Sequence, residues 1–210
     1  QTQSMVSLLK NKFGENISVS VTPVTNNNVY KLERNTVKTV NKKDFVYPAS
    51  GDNHKNHKCW FEALIILARQ GIYPEVAVTI DPLKYPGLVN QMHTLRSTYG
   101  IKIQNFGVMP HNEILNISLE YKALIYPSLI ESFGLPLIEA QFTGLDVLAA
   151  DLDYVKDIVI PDVLFDPLSP KSIAEAMNSY LTTYEYNPAP KPNQNGLDIH
   201  PVYKLIEAMR

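Results

Sequence analysis

Short runs of apolar and β-branched residues recur along the chain, and the stretches between them place apolar side chains three and four positions apart. The runs at 17–22, 44–47, 75–80, 102–106, 123–126, 146–149 and 163–165 have the length of strands. The stretches at 56–70, 86–98, 111–119, 136–142 and 170–183 have helical spacing, as do an opening amphipathic segment at 2–13 and a closing one at 199–209. Strand and helix therefore alternate, which predicts βα units around a parallel sheet and an α/β fold. Gly71, Gly100 and Gly144 follow helical stretches, where a left-handed residue closes the last turn, and Pro136 opens one.

Two polar breaks interrupt the alternation. Residues 23–43 carry Asn26, Asn27 and Asn28 and read as a linker, and residues 184–196 are rich in Pro and Asn. The expected organisation is a junction helix, strand and linker over 1–43, a sheet domain over 44–185, and a tail with a helix over 186–210. The opening helix, with no Met before it, reads as the tail of a preceding domain. Within the linker, Lys31, Arg34, Lys38, Lys42 and Lys43 outnumber Glu33. A solvated linker is the ordinary account, and peripheral contact with an anionic membrane the functional one.

Length and composition narrow the class. The 210 residues suit one core with appendages, and 45% hydrophobic with 19% charged residues excludes wholesale disorder and a coiled coil. Nineteen basic against 21 acidic side chains leave a net charge of −2, so no nucleic-acid partner is expected and any anion site is local. The longest apolar run, 63–68, is far short of the roughly 20 residues that cross a bilayer. Gln1 opens no charged-then-apolar stretch, so no export leader is expected, and the single Cys59 cannot form an intramolecular disulfide. A cytoplasmic location is the expectation, at most peripheral at the inner membrane face.

In an open parallel sheet, ligands gather beyond the carboxyl ends of the strands, where helix N-termini present unpaired N–H groups. The most distinctive such loop is Tyr126-Pro-Ser-Leu-Ile-Glu-Ser-Phe-Gly-Leu-Pro-Leu-Ile-Glu139. Gly134 permits close backbone approach, and the amides of Phe133, Gly134 and Leu135 would face an anion at the positive end of the helix. Glu131 falls in the loop and Glu139 in the expected first helical turn. An ionised glutamate accepts hydrogen bonds without donating, so each suits a diol. Anion-binding amides combined with two hydroxyl acceptors describe a nucleotide-sugar site. For Glu139 alone, complementing the helix dipole would be the ordinary explanation.

The segment Ala123-Leu-Ile-Tyr-Pro-Ser-Leu-Ile-Glu-Ser-Phe-Gly-Leu-Pro-Leu-Ile-Glu-Ala140, followed by Gly144 and Asp146-Val-Leu-Ala-Ala-Asp151, resembles the signature of the retaining family-4 glycosyltransferases, glycosyl transferases group 1, over residues 44 to about 185. The resemblance implies a Rossmann-like parallel sheet flanked by helices, the C-terminal donor-binding half of a GT-B fold. By it, Glu131 holds the sugar hydroxyls near the anomeric carbon, Glu139 binds the ribose, and Lys55, in Phe45-Val-Tyr-Pro-Ala-Ser-Gly-Asp-Asn-His-Lys-Asn56, neutralises the diphosphate with the amides after Ser132. A solvated lysine is the ordinary account of Lys55. Members with Gly-Arg ahead of this lysine also use the arginine. Pro48 and Ala49 stand there instead, which leaves compensation to Ser50 and Gly51 or to another domain. The loop Phe106-Gly-Val-Met-Pro-His111 resembles the cradle of the base, making Val108 and Met109 contacts with either a binding or a packing role.

The implied function is transfer of a sugar from a UDP- or GDP-linked donor to an acceptor hydroxyl, in bacterial surface polysaccharide or glycolipid synthesis. No metal or cofactor beyond that co-substrate is implied. The acceptor would be held by the chain's own N-terminal domain, absent here, so that this fragment alone binds without turnover. A GT-B-type nucleotide-sugar epimerase and a degenerate donor domain kept as a binding module are the alternatives. His54, His57 and Cys59 are metal-ligand types at crowded spacing on the expected start of a helix, where they cannot all converge, and zinc is not favoured. His93, His111 and His200 show no partner at a recognisable spacing.

Overall fold

The β-branched and aromatic runs form six strands: β1 (Lys43–Tyr47), β2 (Glu75–Val78), β3 (Lys102–Asn105), β4 (Tyr121–Tyr126), β5 (Asp146–Ala150) and β6 (Val163–Phe165). Among the described residues, seven helices accompany these six strands: α1 (Gln3–Phe13), α2 (His57–Arg69), α3 (Pro86–Tyr99), α4 (His111–Ser118), α5 (Leu135–Thr143), α6 (Asp153–Lys156) and α7 (Pro170–Thr183). This computed structural model describes residues 3–17 and 42–183. The strand expected at 17–22, beyond Ile17, most of the linker with Lys31, Arg34 and Lys38, the break at 184–196, the closing helix and His200 lie outside the described residues, whereas Lys43 opens β1.

All six strands are parallel, in the order β3-β2-β1-β4-β5-β6. The α/β expectation holds, and the topology is the doubly wound, Rossmann-like one. Every residue of β5 is buried, as a strand covered by helices on both faces requires. By the right-handed rule for parallel crossovers, α2 and α3 belong to one face and α5 and α6 to the other, and α7, after β6, returns to pack on α2. α2 packs against both α3 and α7. Among the described residues, no helix is long and apolar enough to cross a membrane.

The strand order reverses between β1 and β4, which lie side by side with Phe45 opposite Ala123 and Val46 opposite Leu124. Their carboxyl ends diverge into separate loops, and this topological switch point is where doubly wound sheets leave a crevice. Beneath it, Tyr47 packs edge-on against Trp60 and Tyr126 at centroid separations of 5.8 and 5.7 Å. All three are buried, so the two loops stand on a rigid floor.

Candidate functional site

The loop after β1 passes through a single 3-10 turn, Asn53–Lys55, into Asn56. Asn56 has φ of +60° and is the one non-glycine residue with positive φ among the described residues. Its amide donates to Pro127 O at 3.1 Å and Pro167 O at 2.7 Å, bonds that reach the loops after β4 and β6 and offset the strain of the left-handed conformation. Helix α2 therefore starts at His57, one residue later than expected. Leu129 N donates to His54 O at 2.8 Å, stitching the two switch-point loops together.

That stitching brings Lys55 and Glu131 into contact. Lys55 Nζ lies 2.6 Å from Glu131 Oε1, and the side chains are only 17% and 10% exposed. Ser128 Oγ donates to the same oxygen at 2.6 Å. Tyr154 OH donates to Ser128 O at 2.6 Å, and Tyr47 OH to Lys55 O at 2.9 Å, so phenols from below fix both backbones. Burial, and after it the charge of Glu131, holds the hydroxyls of Tyr47, Tyr126 and Tyr154 well above the ordinary phenol range. All three stay neutral around a charged pair. Ser128, Asn56 and Tyr154 went unassigned in the sequence, although Ser128 lies within the quoted motif.

His57 turns away from any cluster with His54 and Cys59. Its Nε2 is 2.8 Å from Ser50 O, and the ring packs on Tyr47 at 4.8 Å. Burial, aided by the charge of Lys55 and opposed by the Ser50 bond, lowers its pKa from 6.5 to about 4. The ring is thus neutral, donates from Nε2, and pins the chain just before Gly51. Burial likewise raises the Cys59 thiol to about 11, which removes thiolate character.

Ser50 Oγ donates to Asp52 Oδ2 at 2.7 Å and Tyr85 OH to Asp52 Oδ1 at 2.6 Å. The Tyr85 bond and then the Ser50 bond hold Asp52 below its ordinary value. Gly51 lies flat on the Tyr85 ring, and a Cβ there would sit 2.7 Å from Cδ2. Tyr85 borders two cavities beyond the carboxyl ends of β1 to β3. One, of about 340 Å³, is lined by Ser50, Lys84, Tyr85, Val108, Met109 and Ile114. The other, of about 560 Å³, includes Gly51, Asp52, Lys58 and Gln91. Val108 is 76% exposed on the first cavity's rim, whereas Met109 is half-buried.

After β4, Ser132 is exposed, Phe133 half-buried, and Gly134 takes φ of +66° as the N-cap of α5. A Cβ on Gly134 would meet Ile158 Cδ1 at 3.0 Å, so both conformation and space favour glycine. No side chain caps this helix start. Because α5 opens at Leu135, one residue earlier than expected, Glu139 lies in its second turn, and dipole complementation in the first turn no longer accounts for it. Glu139 is 9% exposed, and His111 Nε2 lies 2.6 Å from its Oε1. His111 was expected to have no such partner. The acids are held by different cationic or hydrogen-bonding groups, Glu131 by Lys55 and Glu139 by His111. The described cavities border Ser50, Gly51, Val108 and Met109.

Measured against known proteins, residues 30–196 match the family model of glycosyl transferases group 1. The serotype-specific mannosyltransferase WbdA of Escherichia coli is 39% identical over 71 residues, which cover 33% of this chain and 9% of that protein. The match therefore spans less than a tenth of that relative's length. Among solved structures, Anabaena Alr3699/HepE in complex with UDP and glucose aligns with TM-score 0.60 and 14% identity over 100% of this chain and 52% of that one. Sucrose-phosphate synthase from Thermosynechococcus elongatus aligns with TM-score 0.56 and 21% identity over 80% of this chain and 46% of that one. At these identities the structural likenesses establish the fold alone.

Proposed function

The chain belongs to the glycosyl transferases group 1 family, and from that premise we propose that it is the donor-binding half of a retaining GT-B glycosyltransferase. The observation that carries this reading is the Lys55–Glu131 contact at the switch point, where two loops deliver a cation and a carboxylate to the crevice expected to hold a ligand. In the bound state the Lys55 ammonium turns to the donor diphosphate, joined by the amides of Phe133, Gly134 and Leu135. Glu131 then accepts hydroxyls of the sugar, and Glu139 accepts the ribose. Ser50, Gly51, Val108 and Met109 wall the nucleotide side.

Transfer breaks the bond from the anomeric carbon to the phosphate oxygen and forms one to the acceptor oxygen on the same face. The acceptor proton passes to the departing phosphate. Positive charge builds on the sugar ring and negative charge on the diphosphate, and Lys55 stabilises the latter. The chain needs no protein nucleophile or metal for these steps. The acceptor is presented by a companion N-terminal domain, and bacterial surface polysaccharide or glycolipid synthesis is the setting this reading favours. A mannosyl donor is the first to try, because the Escherichia coli relative is a mannosyltransferase.

Calorimetric titration of the chain with UDP and GDP tests the reading, repeated on Lys55→Ala and Glu139→Ala. Weak binding of one nucleotide that both substitutions reduce supports it. Absent binding, or binding that neither changes, favours a degenerate domain retained as a scaffold.

A further inference from the structure

We propose that His111 is a positioning residue for nucleotide recognition: it fixes the Glu139 carboxylate so that the site distinguishes a ribose diol from a deoxyribose. The proposal rests on the reading of Glu139 as the ribose acceptor and adds what holds that acceptor in place. Glu139 reaches its site from the second turn of α5, on a flexible side chain whose sequence neighbours Leu137, Ile138 and Ala140 are all buried. The short bond to its carboxylate comes from another element, His111 Nε2 at 2.6 Å, the first residue of α4. Thr143 Oγ1 donates to backbone carbonyls, Glu139 O at 2.8 Å and Ala140 O at 3.2 Å, and not to the Glu139 carboxylate.

An ionised carboxylate offers about four acceptor sites, so one donor leaves enough for both hydroxyls of a ribose. His111 therefore orients Glu139 without exhausting it. The chain path adds a second argument. His111 follows Met109 by two residues, and Val108 and Met109 line the cavity opposite Ser50. The loop that walls the nucleotide side thus also carries the group that aims the ribose acceptor. A substitution at His111 should accordingly disturb ribose selection before it disturbs the fold.

The test is calorimetry of the 210-residue chain with UDP, GDP and their 2′,3′-dideoxy counterparts, on unmodified protein, His111→Phe, His111→Gln and Glu139→Ala, with thermal melting of each. His111→Phe keeps the ring's bulk without a donor, whereas His111→Gln supplies an amide donor at similar reach. The expected result is a preference for the ribonucleotide that drops about tenfold in His111→Phe, returns in His111→Gln and vanishes in Glu139→Ala. An unchanged preference in His111→Phe, with its loss in Glu139→Ala, overturns the proposal alone. Tighter ribonucleotide binding by His111→Phe also overturns it, because His111 would then be a plug on Glu139. A preference that survives Glu139→Ala, or no binding by the unmodified chain, overturns the ribose reading and the proposal together.

Discussion

Lys55 and Glu131 are 76 residues apart in sequence, yet the two loops that flank the switch point place Lys55 Nζ 2.6 Å from Glu131 Oε1. The contact follows from the strand order, because β1 and β4 are neighbours only where the winding reverses. It also depends on Asn56, whose left-handed turn directs the residue before it towards the loop after β4. A ligand phosphate arriving at Lys55 would compete with Glu131 for the ammonium, so nucleotide binding and release of the carboxylate should be linked.

The pair should show coupling in stability. Lys55→Met leaves the Glu131 carboxylate with Ser128 as its remaining short donor and should cost about 2 kcal/mol, and Glu131→Gln should cost a similar amount. The double variant should lose less than the sum of the two, by at least ~0.5 kcal/mol. Urea denaturation of the four proteins measures this. Strict additivity would mean that the two side chains do not meet in solution.

Gly51 is required by space. An added Cβ falls on the Tyr85 ring, so Gly51→Ala should destabilise by about 1–3 kcal/mol and pull Tyr85 OH away from Asp52. Truncating the ring should relieve the clash, and Gly51→Ala combined with Tyr85→Ala should be no less stable than Tyr85→Ala alone. Thermal melts of the three variants decide the matter.

The periodicity of the sequence was enough for the sheet, because buried parallel strands leave continuous apolar runs that helical stretches separate. Glu131 and Gly134 stood out because they lie at a strand-to-helix junction in an unusual loop, Lys55 stood out only through the family resemblance, and the structure brings Lys55 and Glu131 together. His111 was not legible, since its partner is 28 residues away on another helix and no spacing rule relates α4 to α5. Asn56 was hidden for a similar reason: its two acceptors are backbone carbonyls of distant loops, which a pattern of side chains cannot reveal. The four-residue α6 was missed because it is too short to establish a period.

Gly134 combines two constraints that different substitutions separate. A non-glycine residue at φ of +66° costs about 1–2 kcal/mol, and the 3.0 Å approach to Ile158 adds crowding. Gly134→Ala should therefore lose about 2 kcal/mol by chemical denaturation, and Gly134→Val more, since a β-branched residue tolerates the left-handed region least. Combining Ile158→Val with Gly134→Ala should recover only the crowding part. Equal stability of Gly134→Ala and the unmodified chain would show that the turn does not hold this conformation.

His57 should make the fold sensitive to mild acid. Its pKa is about 4 in the folded chain, chiefly because burial disfavours the charged ring, against 6.5 when exposed. Between those values the unfolded chain carries a proton on this residue that the folded chain does not, so unfolding becomes easier as pH falls from above 6.5 towards 4, and the effect levels off below that. At about 1.4 kcal/mol per unit, the full loss is about 3.5 kcal/mol. His57→Gln keeps a donor for Ser50 O but cannot titrate. Its stability difference between pH 7 and pH 5 should be smaller than that of the unmodified chain by about 2 kcal/mol, the acidic side chains being common to both. Urea midpoints at the two pH values measure it, and identical pH slopes would mean that His57 is not buried against Ser50.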